Sequence, residues 1–261
     1  MRIVLTIALL WIIVPTFSQT QVTNNGEDFT RPITRLDLRF KYQEESKLCY
    51  NEVFTLRNDT VFTLGNDWSF ATRIDLPYTW IQCKASKSNG IIISPKMQEQ
   101  GLADSLLQGL IATPSYGKWT YAFGLRVLFP TAKNEELGSG KYRLLPTVGV
   151  KYDLKQWRKG AWCALLVRQD FDVAGDRFRE SIQQTYIQPY LNIDFPKEWF
   201  ITSSPEMRYN WNSNHWFVPF DILIGKLINK KVVLTIEYKN AIINDFPLYQ
   251  REVEFRFGYF F

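Results

Sequence analysis

His215 is the only histidine in the chain, so a hydrolase using an imidazole general base would have to assemble around it. It stands in Asn212-Ser213-Asn214-His215-Trp216, with the nearest hydroxyl, Ser213, on what reads as a turn between strands. A lipid hydrolase on a barrel wall needs the imidazole to take the serine proton while a polar side chain orients the ring. Ser88-Asn89-Gly90 offers a second serine, but Ala85-Ser86-Lys87 stands where a preceding histidine would be required. His215 therefore reads as an interfacial residue beside Trp216, and the chain is expected not to be an enzyme. Cys49, Cys83 and Cys163 form an odd set without CxxC spacing, which supplies no metal site and at most one disulfide. Glu135-Glu136 reads as a solvated loop rather than a calcium site, and Gly138-Ser139-Gly140-Lys141 lacks both the Walker spacing and a following helix. No metal or cofactor is expected.

The chemistry that remains lies in charges arranged with a period of two. Leu36, Leu38, Phe40 and Tyr42 alternate with Asp37, Arg39 and Lys41, and Trp68, Phe70, Thr72, Ile74 and Leu76 alternate with Ser69, Ala71, Arg73 and Asp75. Trp119, Tyr121, Phe123, Leu125, Val127 and Phe129 run opposite Thr120, Ala122, Gly124, Arg126 and Leu128. Tyr142, Leu144, Val148, Val150 and Tyr152 run opposite Arg143, Thr147, Gly149, Lys151 and Asp153. If the aromatic faces meet lipid, an inner face collects Arg73, Asp75, Arg126, Arg143, Lys151, Asp153, Arg168, Asp170, Glu206, Arg208, Glu237, Lys239, Glu252, Glu254 and Arg256, with Gln184, Tyr186 and Gln188. Charges in a narrow lumen must pair, because an isolated buried ion costs several kcal/mol. Such a set is either a ladder that closes the lumen or a path that selects solutes by charge and size.

The elements that would position these residues are long strands. Beyond the four above, strands are expected at Ala161 to Phe171, Ile182 to Phe195, Trp199 to Trp211, Trp216 to Lys226, Val232 to Asn240 and Tyr249 to Phe261. Shorter candidates at Cys49 to Leu56 and Leu102 to Ala112 bring the total to about twelve, an even number as in bacterial single-chain barrels. Lys155 to Gly160, Lys197-Glu198, Asn212 to Asn214 and Asn229-Lys230 read as short turns, whereas Ala85 to Gln100, Thr131 to Lys141 and Asp172 to Glu180 read as longer loops. An up-and-down barrel has short turns at one rim and long loops at the other. The chain stops on Phe261 after an alternating strand, which resembles the final strand of outer-membrane barrels and implies recognition by the barrel-assembly machinery. Aromatic residues make up 16% of the chain at a mean hydropathy of -0.20, which suits girdles at two lipid boundaries round a polar interior. The fold class expected is all-β, a transmembrane up-and-down antiparallel barrel.

Met1-Arg2, the apolar run Ile3 to Val14 and the small residues Thr16 and Ser18 have the layout of a secretory signal peptide over residues 1–18, cleaved between Ser18 and Gln19. That run is too short to span a bilayer as a helix. Residues 19–35 are then a periplasmic segment and residues 36–261 the outer-membrane barrel. The formal net charge of +5 is scattered among acids, which argues against a nucleic-acid partner.

The middle of the chain resembles a known family. Trp68 to Pro77, Gly101 to Asp104 with the apolar run to Pro114, Gly124 to Ala132, Leu137 to Tyr142 and Pro146 are similar to the outer-membrane transporters grouped as the phenol meta-degradation pathway family. The resemblance continues through Gln184, Gln188-Pro189-Tyr190, Pro205, Pro219 and Gly225-Lys226, and departs from the family's glycine-rich form at Leu144-Leu145. It implies a barrel that admits small, often hydrophobic or aromatic compounds. The expected function is passage of such a solute, with outer-membrane lipid and, through Phe261, the assembly machinery as partners. The alternative is a closed structural or surface-binding barrel acting through Ala85 to Gln100 and Thr131 to Lys141.

Overall fold

A strand sends successive side chains to opposite faces, so a sheet curled on itself can place one face in lipid and the other in its own interior. The structure, a computed structural model, describes residues 24–88, 91–94, 96–246 and 248–261. The expected signal peptide and cleavage point lie outside the described residues, as do Asn89 and Gly90. Twelve antiparallel strands form a closed barrel in which each pairs with its neighbours in the chain. They are β1 (Arg35–Glu44), β2 (Cys49–Thr63), β3 (Ser69–Cys83), β4 in two pieces (Met97–Leu102 and Ser105–Ala112), β5 (Trp119–Phe129) and β6 (Lys141–Asp153). Then come β7 (Trp162–Gly175), β8 (Gln183–Phe195), β9 in two pieces (Trp199–Ser203 and Met207–Asn210), β10 (His215–Ile228), β11 (Val232–Asn244) and β12 (Arg251–Phe260). Closure runs from the pair Arg35↔Phe260 to the pair Glu44↔Arg251 between β1 and β12. A small hairpin of Ser86–Ser88 and Ile91–Ser94 extends the β3–β4 loop.

Several strands exceed their expected bounds. The largest difference is β2, which continues past Leu56 to Thr63 and pairs with β3 along its whole length of 15 residues. The stretch Trp199 to Trp211 is not one strand but two, because Pro205 has no N–H to give a ladder. Likewise β4 begins at Met97 and breaks at Ala103-Asp104, opposite Pro77 of β3, whose carbonyl still accepts the Ala103 N–H at 3.0 Å.

The outer surface carries Leu36, Leu38, Phe40, Phe123, Leu125, Ile236, Phe255 and Phe257 among many exposed apolar side chains. An apolar coat of this extent on a closed barrel needs lipid to cover it. Turns at 64–68, 113–118, 154–161, 196–198 and 229–231 share the rim where β1 begins and β12 ends; longer loops at 84–96, 130–140 and 176–182 share the other. The Asn212 to Asn214 turn is short yet lies on the long-loop rim, since it joins β9 to β10. At 229–230 both residues have positive φ, 50° and 57°, as a two-residue turn of the right twist requires. Cys49 and Cys83 pair across β2 and β3 as a disulfide, leaving Cys163 free among the described residues.

Candidate functional site

The lumen is where the inward faces converge, and two pieces of non-strand chain enter it. From the terminal rim, residues 24–34, expected as a periplasmic segment, lie against the inner wall. Asp28 pairs with Lys151 of β6 and accepts the Thr30 hydroxyl at 2.6 Å. Asn25 donates to Asn192 of β8 at 2.9 Å, and Glu27 accepts from Arg256 of β12 at 2.6 Å. Phe29 packs on Leu110, Ala112 and Ala122, and Ile33 on the cluster Phe200, Leu223, Leu227, Val233 and Phe260. Two glycines make this filling possible: a Cβ at Gly149 would collide with the Phe29 ring, and one at Gly225 with the Phe200 ring. From the other rim, the 130–140 loop folds onto the inner face of β4. There Asn134 donates to Glu99 at 2.6 Å, Leu137 is buried over Gly101, and Asp104 accepts the Ser139 N–H and hydroxyl at 2.6 and 2.8 Å. The specific Pro-Thr-Ala to Gly-Ser-Gly-Lys stretch is thus a loop held inside the mouth by Asp104 and by Thr131, whose hydroxyl donates to Ala103 O at 3.0 Å.

Between these ends lies a nearly continuous polar network. Along one wall Arg73 grips Asp59 through two hydrogen bonds at 2.7 and 2.8 Å, Asp59 also accepts from Arg35 at 2.8 Å, and Arg57 grips Asp75 with two at 2.7 Å. Arg256 reaches Asp37 at 3.9 Å as well as Glu27, and Arg39 holds Glu254 at 2.6 Å. Next along, Lys239 sits among carboxylates, 2.9 Å from Glu252, 3.3 Å from Glu237 and 3.9 Å from Asp221. Glu237, Glu252 and Glu254 each offer an oxygen within 4.8 Å of the others. The charges that offset them are the Lys239 ammonium, the Arg39 guanidinium and the Lys41 ammonium, 3.9 Å from Glu252.

On the opposite wall Arg143 pairs with Asp170, whose Oδ2 also accepts the Tyr186 hydroxyl at 2.7 Å. Arg168 donates to Gln188 at 3.1 Å and to Glu206 at 3.0 Å, and Gln188 in turn donates to Ser204 O at 3.0 Å. Arg208 grips Glu206 at 2.7 and 3.0 Å and lies over the Tyr186 ring at 4.5 Å from its centroid.

Apart from Glu206, which lies in the break of β9, the side chains expected in the lumen fall on inward register positions, yet they do not all share one network. Arg143, Arg168, Tyr186, Gln188, Glu206 and Arg208 form one group, Glu237 and Glu252 another, and Arg73 a third that reaches Arg256 through Asp59, Arg35 and Asp37, while Asp75 pairs with Arg57 beside it. Lys151 belongs with the entering segment. Gln184 stands apart, its buried Oε1 without a hydrogen-bond partner among the described residues. Arg126 differs from the pairing that sequence implies, for it meets Gln108 and no carboxylate within salt-bridge distance among the described residues. Register explains why, since Arg126 and Gln108 are direct cross-strand neighbours. Sequence reasoning missed Asp28, Arg57, Asp59 and Asp221. Continuing the β2 alternation past Leu56 would have found the middle two, and Asp221 sits in the alternation of β10. His215 is exposed at the start of β10, and no serine hydroxyl bonds to it among the described residues.

No family model matches the chain, and no curated protein matches it. Solved structures do. A COG4313 outer membrane channel from Pseudomonas putida F1 superposes with a TM-score of 0.68 at 12% identity, over 93% of this chain and 100% of that one. NanC porin gives 0.55 at 16% identity over 87% and 98%, and KdgM porin 0.54 at 10% identity over 87% and 99%. The chain has the fold of outer-membrane porin-like β-barrels.

Proposed function

We propose that the protein is an outer-membrane channel that passes a small hydrophobic or aromatic compound, and does so selectively rather than as an open aqueous pore. The observation that carries this reading is the character of the lumen. A closed barrel with inward charges supports a path across the membrane. The segment 24–34 and the 130–140 loop narrow that path, and apolar clusters around Phe29 and Phe200 interrupt its polar lining. Free passage of hydrated ions is disfavoured where apolar side chains fill the section. The resemblance of Gly124 to Ala132 and Leu137 to Tyr142 to the phenol meta-degradation pathway family supports an aromatic solute. A second reading, a closed structural barrel, is favoured by one observation: the segment 24–34 is tied to β6 and β12 by ion pairs and to β8 by a hydrogen bond.

Single-channel recording of the refolded chain in planar bilayers separates the two. The channel reading expects small, discrete openings that phenol depresses and glycerol does not. A silent membrane under all conditions supports the closed barrel, and large openings indifferent to phenol would contradict selectivity for aromatic solutes.

A further inference from the structure

Arg126 is an exception in a lumen where nearly every charge has a partner. Its Nε donates to Gln108, a neutral group, and its two terminal nitrogens have no partner among the described residues. Register sets it between two other guanidiniums: Gln108 pairs with Arg73 on β3, and Gly124, the inward position next to Arg126, is level with Arg168 through Thr147. The acid that Arg168 reaches is Glu206, at 3.0 Å. That carboxylate is already committed, being gripped by Arg208 and contacted by Arg168. Arg73 and Arg57 are matched by Asp59 and Asp75. Two guanidiniums, Arg168 and Arg208, therefore share one acid while Arg126 has none, and Arg168, 4% exposed, has a buried Nε with no hydrogen bond among the described residues. A surplus of this kind in a confined space attracts an anion, and the planar fork of arginine matches the two oxygens of a carboxylate, as it does those of a phosphate.

The neighbouring wall says what else that anion carries. Toward the terminal rim, the inward positions of β7 and β8 after Arg168↔Tyr186 are Leu166↔Gln188, Ala164↔Tyr190 and Trp162↔Asn192. Tyr190 packs at a tilt against Phe29, 5.5 Å between ring centroids, and against Trp162 at 6.1 Å, and Phe29 in turn lies on Leu110, which pairs with Gly124, the inward position next to Arg126. Guanidiniums without a matching acid thus border a small aromatic cluster.

We infer that Arg126 and Arg168 form an anion-binding point in the lumen, and that its solute is a small aromatic acid with its carboxylate on the guanidiniums and its ring against Tyr190 and Phe29. The inference rests on the channel reading above and narrows its solute class.

Calorimetric titration of the refolded full chain in detergent at neutral pH tests it, with benzoate, benzyl alcohol and inorganic phosphate as probes. Benzoate should bind roughly 10-fold or more tightly than benzyl alcohol, the gain expected of one charge-assisted contact. Arg126→Ala should abolish that preference while Arg126→Lys retains part of it, and heat-modifiable gel mobility should show both variants folded. Arg126 holds no carboxylate, so its removal strands no buried ion. Equal affinity for benzoate and benzyl alcohol overturns the inference, as does a preference that survives in both Arg126→Ala and Arg168→Ala. Phosphate bound as tightly as benzoate overturns the aromatic half of it. Benzoate binding with wild-type affinity in a protein that passes no current would instead defeat the channel reading and leave the site standing.

Discussion

Asp59→Ala is the perturbation that most sharply probes how the lumen is held together. Asp59 is 6% exposed and receives three hydrogen bonds at 2.7 to 2.8 Å, two from Arg73 of β3 and one from Arg35 of β1. It is thus the acid that ties three successive strands on their inner face. Removing one partner of a buried ion pair costs about 3 to 5 kcal/mol, because the remaining charge stays buried without compensation. Here two guanidiniums are stranded. Asp37, 3.4 Å from Arg35, offsets part of that loss, so the expected cost stays within the same range rather than doubling. Urea unfolding followed by tryptophan fluorescence in detergent measures it. Arg73→Ala alone should cost somewhat less, since Asp59 keeps Arg35, and the double variant should cost less than the sum of the two. A loss below about 1 kcal/mol for Asp59→Ala would refute the reasoning, placing the pair in the range of solvated surface ion pairs.

Arg126→Ala should change stability by less than about 1 kcal/mol, since only a hydrogen bond to a neutral amide is lost; the same unfolding assay checks it. Val127→Arg puts a charge on the lipid face beside Leu125 and should cost roughly 2 to 4 kcal/mol near mid-membrane, and a tolerated variant would mean β5 is turned the other way. Phe260 is 4% exposed in the cluster with Phe200 and Val233, so Phe260→Ala should lower unfolding stability by about 3 to 5 kcal/mol. Phe261 is 52% exposed, and Phe261→Asp should instead reduce the yield of assembled barrel, read by heat-modifiable gel mobility. Thiol labelling of the denatured chain followed by mass spectrometry should modify only Cys163 before reduction, and Cys49 and Cys83 as well after it.

Where both faces of a strand contrast strongly, sequence alone locates it. Trp119–Phe129 shows this, for large apolar side chains alternate there without interruption and the observed bounds match the expected ones. Contrast fails in β2, where Asn58 and Thr60 stand on the lipid side and mask the inward Arg57 and Asp59. Local pattern also could not anticipate the break in β4, which lies opposite Pro77 of β3, whereas the break in β9 falls at Pro205 of that strand itself. The inward direction of the charges was legible, because period two fixes it. Their partners were not, since these are set by register between strands far apart in the chain, as Arg126 and Gln108 show. The segment 24–34 has no periodicity of its own. Asp28 and Phe29 acquire meaning only against Lys151 and Gly149, more than a hundred residues away.

The central claim is that the lumen is a path and that residues 24–34 obstruct it at the terminal rim. Single-channel current of the full chain, recorded beside a variant lacking residues 24–33, tests it most directly. The account expects a larger and more frequently open conductance in the shortened variant, with the barrel still heat-modifiable on gels. Equal currents from two folded proteins, or silence in both, would contradict it.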